Sequence, residues 1–229
     1  MSRGFFLTFE GLDGSGKTTQ IRRLTEWLEE RGEQPLVTRQ PGGTRIGDRI
    51  RQLLLDSRTE KMAPLAELGL MFSDRAQAVA EVIRPALETG RIVVCDRFTD
   101  STEAYQGGGR ELGSEVVLQL HRAMCGDLQP HLTILLLPDL KRSLTRARRR
   151  NGRAAGSGSD ENRFESEAES FFQRVFLKYR EIADRDPLRV VVIDGDASIE
   201  KVHKRIVTVV SERLESQRNW TVTDGAIRG

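Results

Sequence analysis

Apolar residues fall along this chain in two alternating rhythms. Short runs that are apolar at nearly every position read as strands: FFLTF at Phe5–Phe9, PLVT at Pro35–Thr38, IVVCD at Ile92–Asp96, HLTILLL at His131–Leu137 and VVVID at Val190–Asp194. Strands without an alternate polar face belong to parallel sheets that helices cover on both sides. Between them lie longer stretches whose apolar positions recur three and four apart. The first starts inside GKTTQ, carries Ile21, Leu24, Trp27 and Leu28 on one stripe, and stops at Gly32. Further helices are predicted near Gly47–Asp56, Pro64–Thr89 with a kink before Pro85, Ser114–Cys125, Leu140–Arg150, Arg163–Ala183 and Ser198–Glu215. The alternation predicts an α/β fold, one domain over residues 1–215.

Two segments break the pattern. NGRAAGSGSDEN, at Asn151–Asn162, is rich in Gly and Ser and has no apolar anchor, which predicts a mobile connection. From Ser216 onward no periodicity is visible, so residues 216–229 are expected to form a poorly ordered tail. No apolar run approaches the ~20 residues that would span a bilayer. The opening MSRGFFLTFEG leads straight into a strand without the layout of a secretory signal, so a cytoplasmic location and no membrane association are expected. Cys95 and Cys125 form no CxxC and read as reduced core residues. A formal net charge of +2 gives no ground for nucleic-acid binding. The cations are nevertheless unevenly placed: Lys141, Arg142, Arg146, Arg148, Arg149, Arg150 and Arg153 crowd one stretch. Taken alone, such a run is a solvated helix face.

The strongest chemical signal follows the first strand. Gly11, Leu12, Asp13, Gly14, Ser15, Gly16, Lys17 and Thr18 fit GxxxxGK followed by Ser or Thr, between an apolar strand and an amphipathic helix. Glycines let consecutive N–H groups face inward, and the helix N-terminus adds positive character where phosphates sit. Lys17 would reach the β- and γ-phosphates of ATP, Thr18 would give a hydroxyl to Mg²⁺, and Thr19 completes the first helical turn beside the nucleotide. IVVCD ends in Asp96, which a parallel sheet carries to the same edge, making it the second candidate for holding Mg²⁺.

FEGLDGSGKTTQ, RQPGGT, LMFSDR, DRFTDSTEAYQGGGR and an arginine-rich stretch leading into ENRFESE together resemble bacterial thymidylate kinase, from Phe5 to about Leu214. The resemblance implies a nucleoside monophosphate kinase fold: a five-stranded parallel sheet flanked by helices, with an arginine-bearing lid at about 148–163. It also implies a homodimer that transfers phosphate from ATP to dTMP. Carried onto matching positions, Phe72 would stack on thymine and Arg75, one turn on, would bond its O4. Arg97 would grip the dTMP phosphate, helped by Arg39 and Arg45 around Pro41. Asp13 would accept from the 3′-hydroxyl. Tyr105 would pack at C2′, with Ser101, Thr102 and Gln106 along the same wall. The run Gly107, Gly108 and Gly109 predicts a loop near a ligand.

An acceptor that is already a phosphate anion needs no general base, so positioning and charge neutralisation are the expected devices. The P-loop has Ser15 and no arginine among its variable positions, which resembles the subtype that carries its catalytic arginine in the lid. Arg148, Arg150, Arg153 and Arg163 are the candidates, with Glu165 toward the acceptor. Two rival readings are a kinase for another nucleotide and a nucleotide-dependent switch. The GTPase form of the second would carry NKxD, and no asparagine here precedes a lysine.

Overall fold

A computed structural model describes residues 4–56, 58, 62–126, 128–146 and 163–226, without the side chains of 165, 166 and 218–226. Five strands form one parallel sheet: β1 (Phe5–Glu10), β2 (Leu36–Arg39), β3 (Ile92–Asp96), β4 (Leu132–Leu136) and β5 (Val190–Ile193), in the order β2-β3-β1-β4-β5. Each lies within a residue of the run that predicted it. The register puts Asp96 level with both Phe9 and Arg39. The segments leaving β1, β3 and β2 therefore meet at one edge of the sheet, where α/β folds bind ligands.

The helices divide between two faces. On one, α1 (Lys17–Glu29) brings Ile21, Leu24 and Leu28, and α9 (Ile199–Ala226) brings Val202, Ile206, Val210 and Leu214, onto Phe5, Leu7 and Phe9 of β1. On the other, Phe6 and Val93 pack with Leu68 and Phe72 of α3 (Pro64–Ala78) and Val117 of α6 (Ser114–Cys125). Tyr105, Phe171, Val175 and Tyr179 form a third cluster under α8 (Glu169–Arg185). Side chains alternate along β1, so Thr8 and Glu10 share the face of Phe6, and both are fully buried. The remaining helices are α2 (Arg45–Leu55), α4 (Arg84–Glu88), α5 (Thr99–Thr102) and α7, described over 140–146.

Two expectations change. The stretch predicted over Pro64–Thr89 stays helical to Glu88, but the kink becomes a π segment, Val79–Ile83. Pro85 has no N–H to give, and the N–H of Arg84 reaches back to the Val79 carbonyl. The glycines 107–109 are not in a loop; they lie in a second π segment, Glu103–Gly109, against α8. A Cβ on Gly109 would stand 2.4 Å from Phe171 Cε2, and one on Gly108 2.8 Å from Lys178 Cβ. Bare backbone is what lets α8 approach, which offsets a helical cost of about 1 kcal/mol per glycine.

Candidate active site

The phosphate loop joins β1 to α1. Gly11 has φ +129°, and a Cβ there would stand 2.2 Å from the Leu136 carbonyl oxygen, so no other residue fits beside β4. The Lys17 amine folds back over the loop and donates to the carbonyls of Gly11 and Leu12, both at 3.0 Å. Burial, with Arg97 nearby, lowers its pKa to about 8. Thr18 is exposed at the first turn and Thr19 is half-buried. Ser15 Oγ and Asp96 Oδ1 are buried with no hydrogen-bond partner among the described residues.

Arg97 leaves β3 at φ +68°, a left-handed backbone that costs an ordinary residue about 1–2 kcal/mol. Its N–H donates to the Phe9 carbonyl at 2.9 Å. Its guanidinium reaches Asp13 Oδ1 at 2.9 Å, Ser101 Oγ at 3.0 Å, Tyr179 Oη at 3.3 Å and Tyr105 Oη at 3.4 Å. Burial works against the charge, but Tyr105, Asp13 and Tyr179 hold the pKa well above its ordinary value. A permanent cation thus faces the loop from the neighbouring strand.

On α3, Phe72 and Arg75 meet as their spacing requires, with the guanidinium 4.8 Å from the ring centre. Phe72 is fully buried. Arg75 donates through Nε to Gln40 at 2.8 Å and through Nη2 to the Phe98 carbonyl at 3.1 Å and Thr102 at 2.8 Å. Its Nη1 is buried without a partner among the described residues. Tyr105 is buried edge-on to Phe164, Phe171 and Tyr179. Gln106 turns away from Arg97 and donates to Glu67 at 2.8 Å. Pro41 follows a cis bond after Gln40 and is buried, whereas Arg39 and Arg45 are exposed and Arg39 lies 3.6 Å from Asp48.

Of the four arginines expected over ATP, Arg148, Arg150 and Arg153 lie outside the described residues, as does the Glu165 side chain. Arg163 is placed with Glu67, 2.7 Å from its carboxylate, and also donates to the Leu54 carbonyl. Arg110 bonds the same carboxylate at 3.1 Å and Glu167 at 2.6 Å.

Several residues in this region escaped the sequence reading. Glu10 accepts from the Phe98 N–H at 2.7 Å, from the Ser101 hydroxyl, and from Tyr179 at 3.3 Å. Burial, then Asp100, raises its pKa to about 7. Asp74 accepts from the Gly42 N–H at 2.8 Å, and burial raises its pKa to about 6. Asp100 takes Arg189 at 2.6 Å and 3.0 Å, which ties α5 to the strand edge beyond β4. One signal was present: Glu10 is a charged residue ending an apolar strand immediately before Gly11.

A sequence profile described as "Thymidylate kinase" matches residues 9–206. Thymidylate kinase of Desulfovibrio desulfuricans is 50% identical over 197 residues, 86% of this chain and 90% of that one. That of Syntrophotalea carbinolica is 47% identical over 210 residues, 92% and 96% of the two chains. The crystal structure of thymidylate kinase from Ehrlichia chaffeensis aligns with a TM-score of 0.72 at 32% identity, covering 91% of this chain and 99% of that one.

Proposed function

The chain belongs to the thymidylate kinase family, and we propose from that premise how its residues divide the reaction. It transfers the γ-phosphoryl group of ATP to dTMP, giving dTDP and ADP in the supply of dTTP. The P-loop, Gly11 to Thr19, holds the triphosphate. Lys17 turns from the Gly11 and Leu12 carbonyls to the β- and γ-phosphates, where exchange of carbonyl dipoles for full negative charges favours its protonated form. Arg97 holds the dTMP phosphate as a bidentate cation, and Asp13, its ion-pair partner, takes the 3′-hydroxyl.

Arg75 meets the base, where its Nη1, without a partner among the described residues, would find an acceptor. Phe72 stacks beside it, Tyr105 closes the sugar side, and Ser101, Thr102 and Gln106 complete that wall, with Pro41 and Arg39 across from it. No residue is needed as a general base, because the attacking oxygen is already anionic. Arg148, Arg150 and Arg153 are assigned to the transferring group. Arg163 is assigned to anchoring through Glu67.

The donor set fits Mg²⁺. Asp96 presents a buried Oδ1 that has no partner among the described residues, Thr18 presents an exposed hydroxyl, and these two would hold the ion. Bound there, it supplies positive charge to the triphosphate oxygens. Among the described residues no group of three or more His, Cys, Asp or Glu could hold a metal unaided, as suits an ion that takes most of its ligands from phosphate and water.

The observation that carries this division is the 2.9 Å ion pair between Arg97 and Asp13, which ties the acceptor arginine to the donor loop. The test is Mg²⁺-dependent ADP release by the purified chain with dTMP, dUMP, dCMP, dGMP and dAMP. dTMP should be the best acceptor, and equal turnover of another would remove the assignments of Phe72 and Arg75. A homodimer and a cytoplasmic site of action belong to the same reading. No helix among the described residues is long and apolar enough to cross a membrane. Sedimentation velocity at micromolar concentration checks the dimer.

A further inference from the structure

We propose that Glu10 is the positioning residue for Arg97, acting through the hydroxyls of Ser101 and Tyr179 and through the backbone of Phe98. The inference rests on the reading of Arg97 as the holder of the acceptor phosphate.

The backbone comes first. Arg97 and Phe98 offer two consecutive N–H groups, and two consecutive residues at the end of β1 capture them. The Phe9 carbonyl takes the first at 2.9 Å, and the Glu10 carboxylate takes the second at 2.7 Å. Between these clamps Arg97 holds its left-handed φ of +68°. A strained residue persists only where its surroundings over-determine it, and here the second constraint is a side chain.

The hydroxyls come next. Ser101 has one hydrogen, and it points to Glu10. The Ser101 oxygen is then left as an acceptor, which is what Arg97 Nη1 requires at 3.0 Å. Tyr179 lies 2.8 Å from Ser101 and 3.3 Å from Glu10, so its single hydrogen also has an acceptor away from Arg97, leaving its oxygen to accept from Nη1 at 3.3 Å. The ionised carboxylate at the end of this chain therefore orients the Ser101 and Tyr179 hydroxyls with their lone pairs toward the guanidinium. An amide of the same shape would not, because its NH₂ would donate to Ser101 and turn that hydrogen toward Arg97. Glu10 has no exposed surface, and its hydrogen bonds run to Phe98, Ser101 and Tyr179, so its hydrogen-bonded reach toward Arg97 is this network.

The test compares steady-state kinetics of E10Q, S101A, the E10Q/S101A double variant and R97A in the full chain, with folding checked by circular dichroism. E10Q should lower kcat/KM for dTMP by roughly 10- to 100-fold, the size of a lost hydrogen bond to a charged group, with the KM for ATP within about twofold of the parent. In the S101A background the same change should cost less than in the parent, the remainder running through Tyr179, because residues that share a hydroxyl are not additive. Parental kcat/KM in E10Q, or an equal loss with and without Ser101, overturns the proposal.

R97A keeps the two readings apart. Parental dTMP kinetics in R97A sink the assignment of Arg97 itself, whereas an impaired R97A beside a parental E10Q sinks only the role of Glu10. Should E10Q fail to fold, Y179F carries the test, since it keeps the carboxylate and deletes one hydroxyl. A rise in the dTMP KM of roughly 10-fold, the size of a lost hydrogen bond to a charged group, is expected, and an unchanged KM overturns the proposal.

Discussion

Arg97 and Asp13 stand 2.9 Å apart across the gap between two neighbouring strands of the sheet. Asp13 belongs to the loop that leaves β1, and Arg97 is the first residue after β3; the register that sets Phe9 beside Asp96 brings the two together. The donor loop and the acceptor arginine are thus neighbours because of strand pairing.

The first prediction concerns this pair. Arg97→Ala should lower kcat/KM for dTMP by about 10²- to 10³-fold, the loss expected when one charged donor to a reacting phosphate is removed. The fold should persist, since Arg97 packs on the site and not in the apolar core. Steady-state kinetics beside a thermal melt measure both, and a variant that keeps its activity contradicts the assignment.

Lys17 supplies a prediction in pH. Burial, with Arg97 next in effect, lowers its pKa to about 8 from 10.5 in the unfolded chain. Between those two values the unfolded state binds more protons, so this group makes stability rise with pH across the window from about 8 to 10.5. Bound triphosphate should raise the folded value again. At pH 8 to 9 ATP binding should therefore take up a proton, seen as a dependence of the calorimetric enthalpy on the ionisation enthalpy of the buffer. Lys17→Met should abolish that dependence.

A third prediction rests on Glu67, a fully buried carboxylate that receives Gln106, Arg110 and Arg163. Burial pushes its pKa up, but the bonds from Arg110, Gln106 and Arg163 overcome this and leave it below the ordinary carboxylate value. Its stabilisation is present above the unfolded pKa of about 4.5 and is lost as pH falls through the lower folded value. Glu67→Gln should cost about 3 kcal/mol at neutral pH, because it removes the fully buried counter-charge that Arg110 and Arg163 share. The melting temperature should fall by roughly 10 °C for a chain of this length. An unchanged melt would show that the cluster is not a structural anchor.

The parts of the molecule that were legible are those whose cause is local. Strands declared themselves because burial on both faces removes polar residues, as at Val93 and Ile134, and the P-loop did so because its glycines and Lys17 must keep a fixed spacing. The expectation for Arg97 came from the resemblance carried by DRFTDSTEAYQGGGR. Glu10 and Tyr179 were hidden because their meaning lies in a bond spanning 169 positions of sequence. The glycines at 107–109 misled for the same reason: read locally they favour a loop, and only the approach of α8 explains them in a helix. Gln106 carries no sequence signal for the bond that it makes to Glu67, 39 positions away.

That contrast yields a paired test, because two helical glycines should respond to alanine with opposite signs. Gly69 lies inside α3, and a Cβ there meets nothing within 4 Å. Gly69→Ala should stabilise the chain by about 0.5–1 kcal/mol, the helical preference for alanine acting alone. Gly109→Ala gains the same preference but drives a methyl to within 2.4 Å of Phe171 Cε2 and 2.9 Å of Val175 Cγ2. Overpacking of about 1–3 kcal/mol outweighs the gain, so a net loss is expected. The displaced helix is the one that carries Tyr179, so kcat/KM for dTMP should fall with stability in Gly109→Ala and stay parental in Gly69→Ala. Urea unfolding measures the first quantity and coupled ADP release the second. If both variants were stabilised alike, the π segment would have room for side chains, and the glycine run would need another explanation.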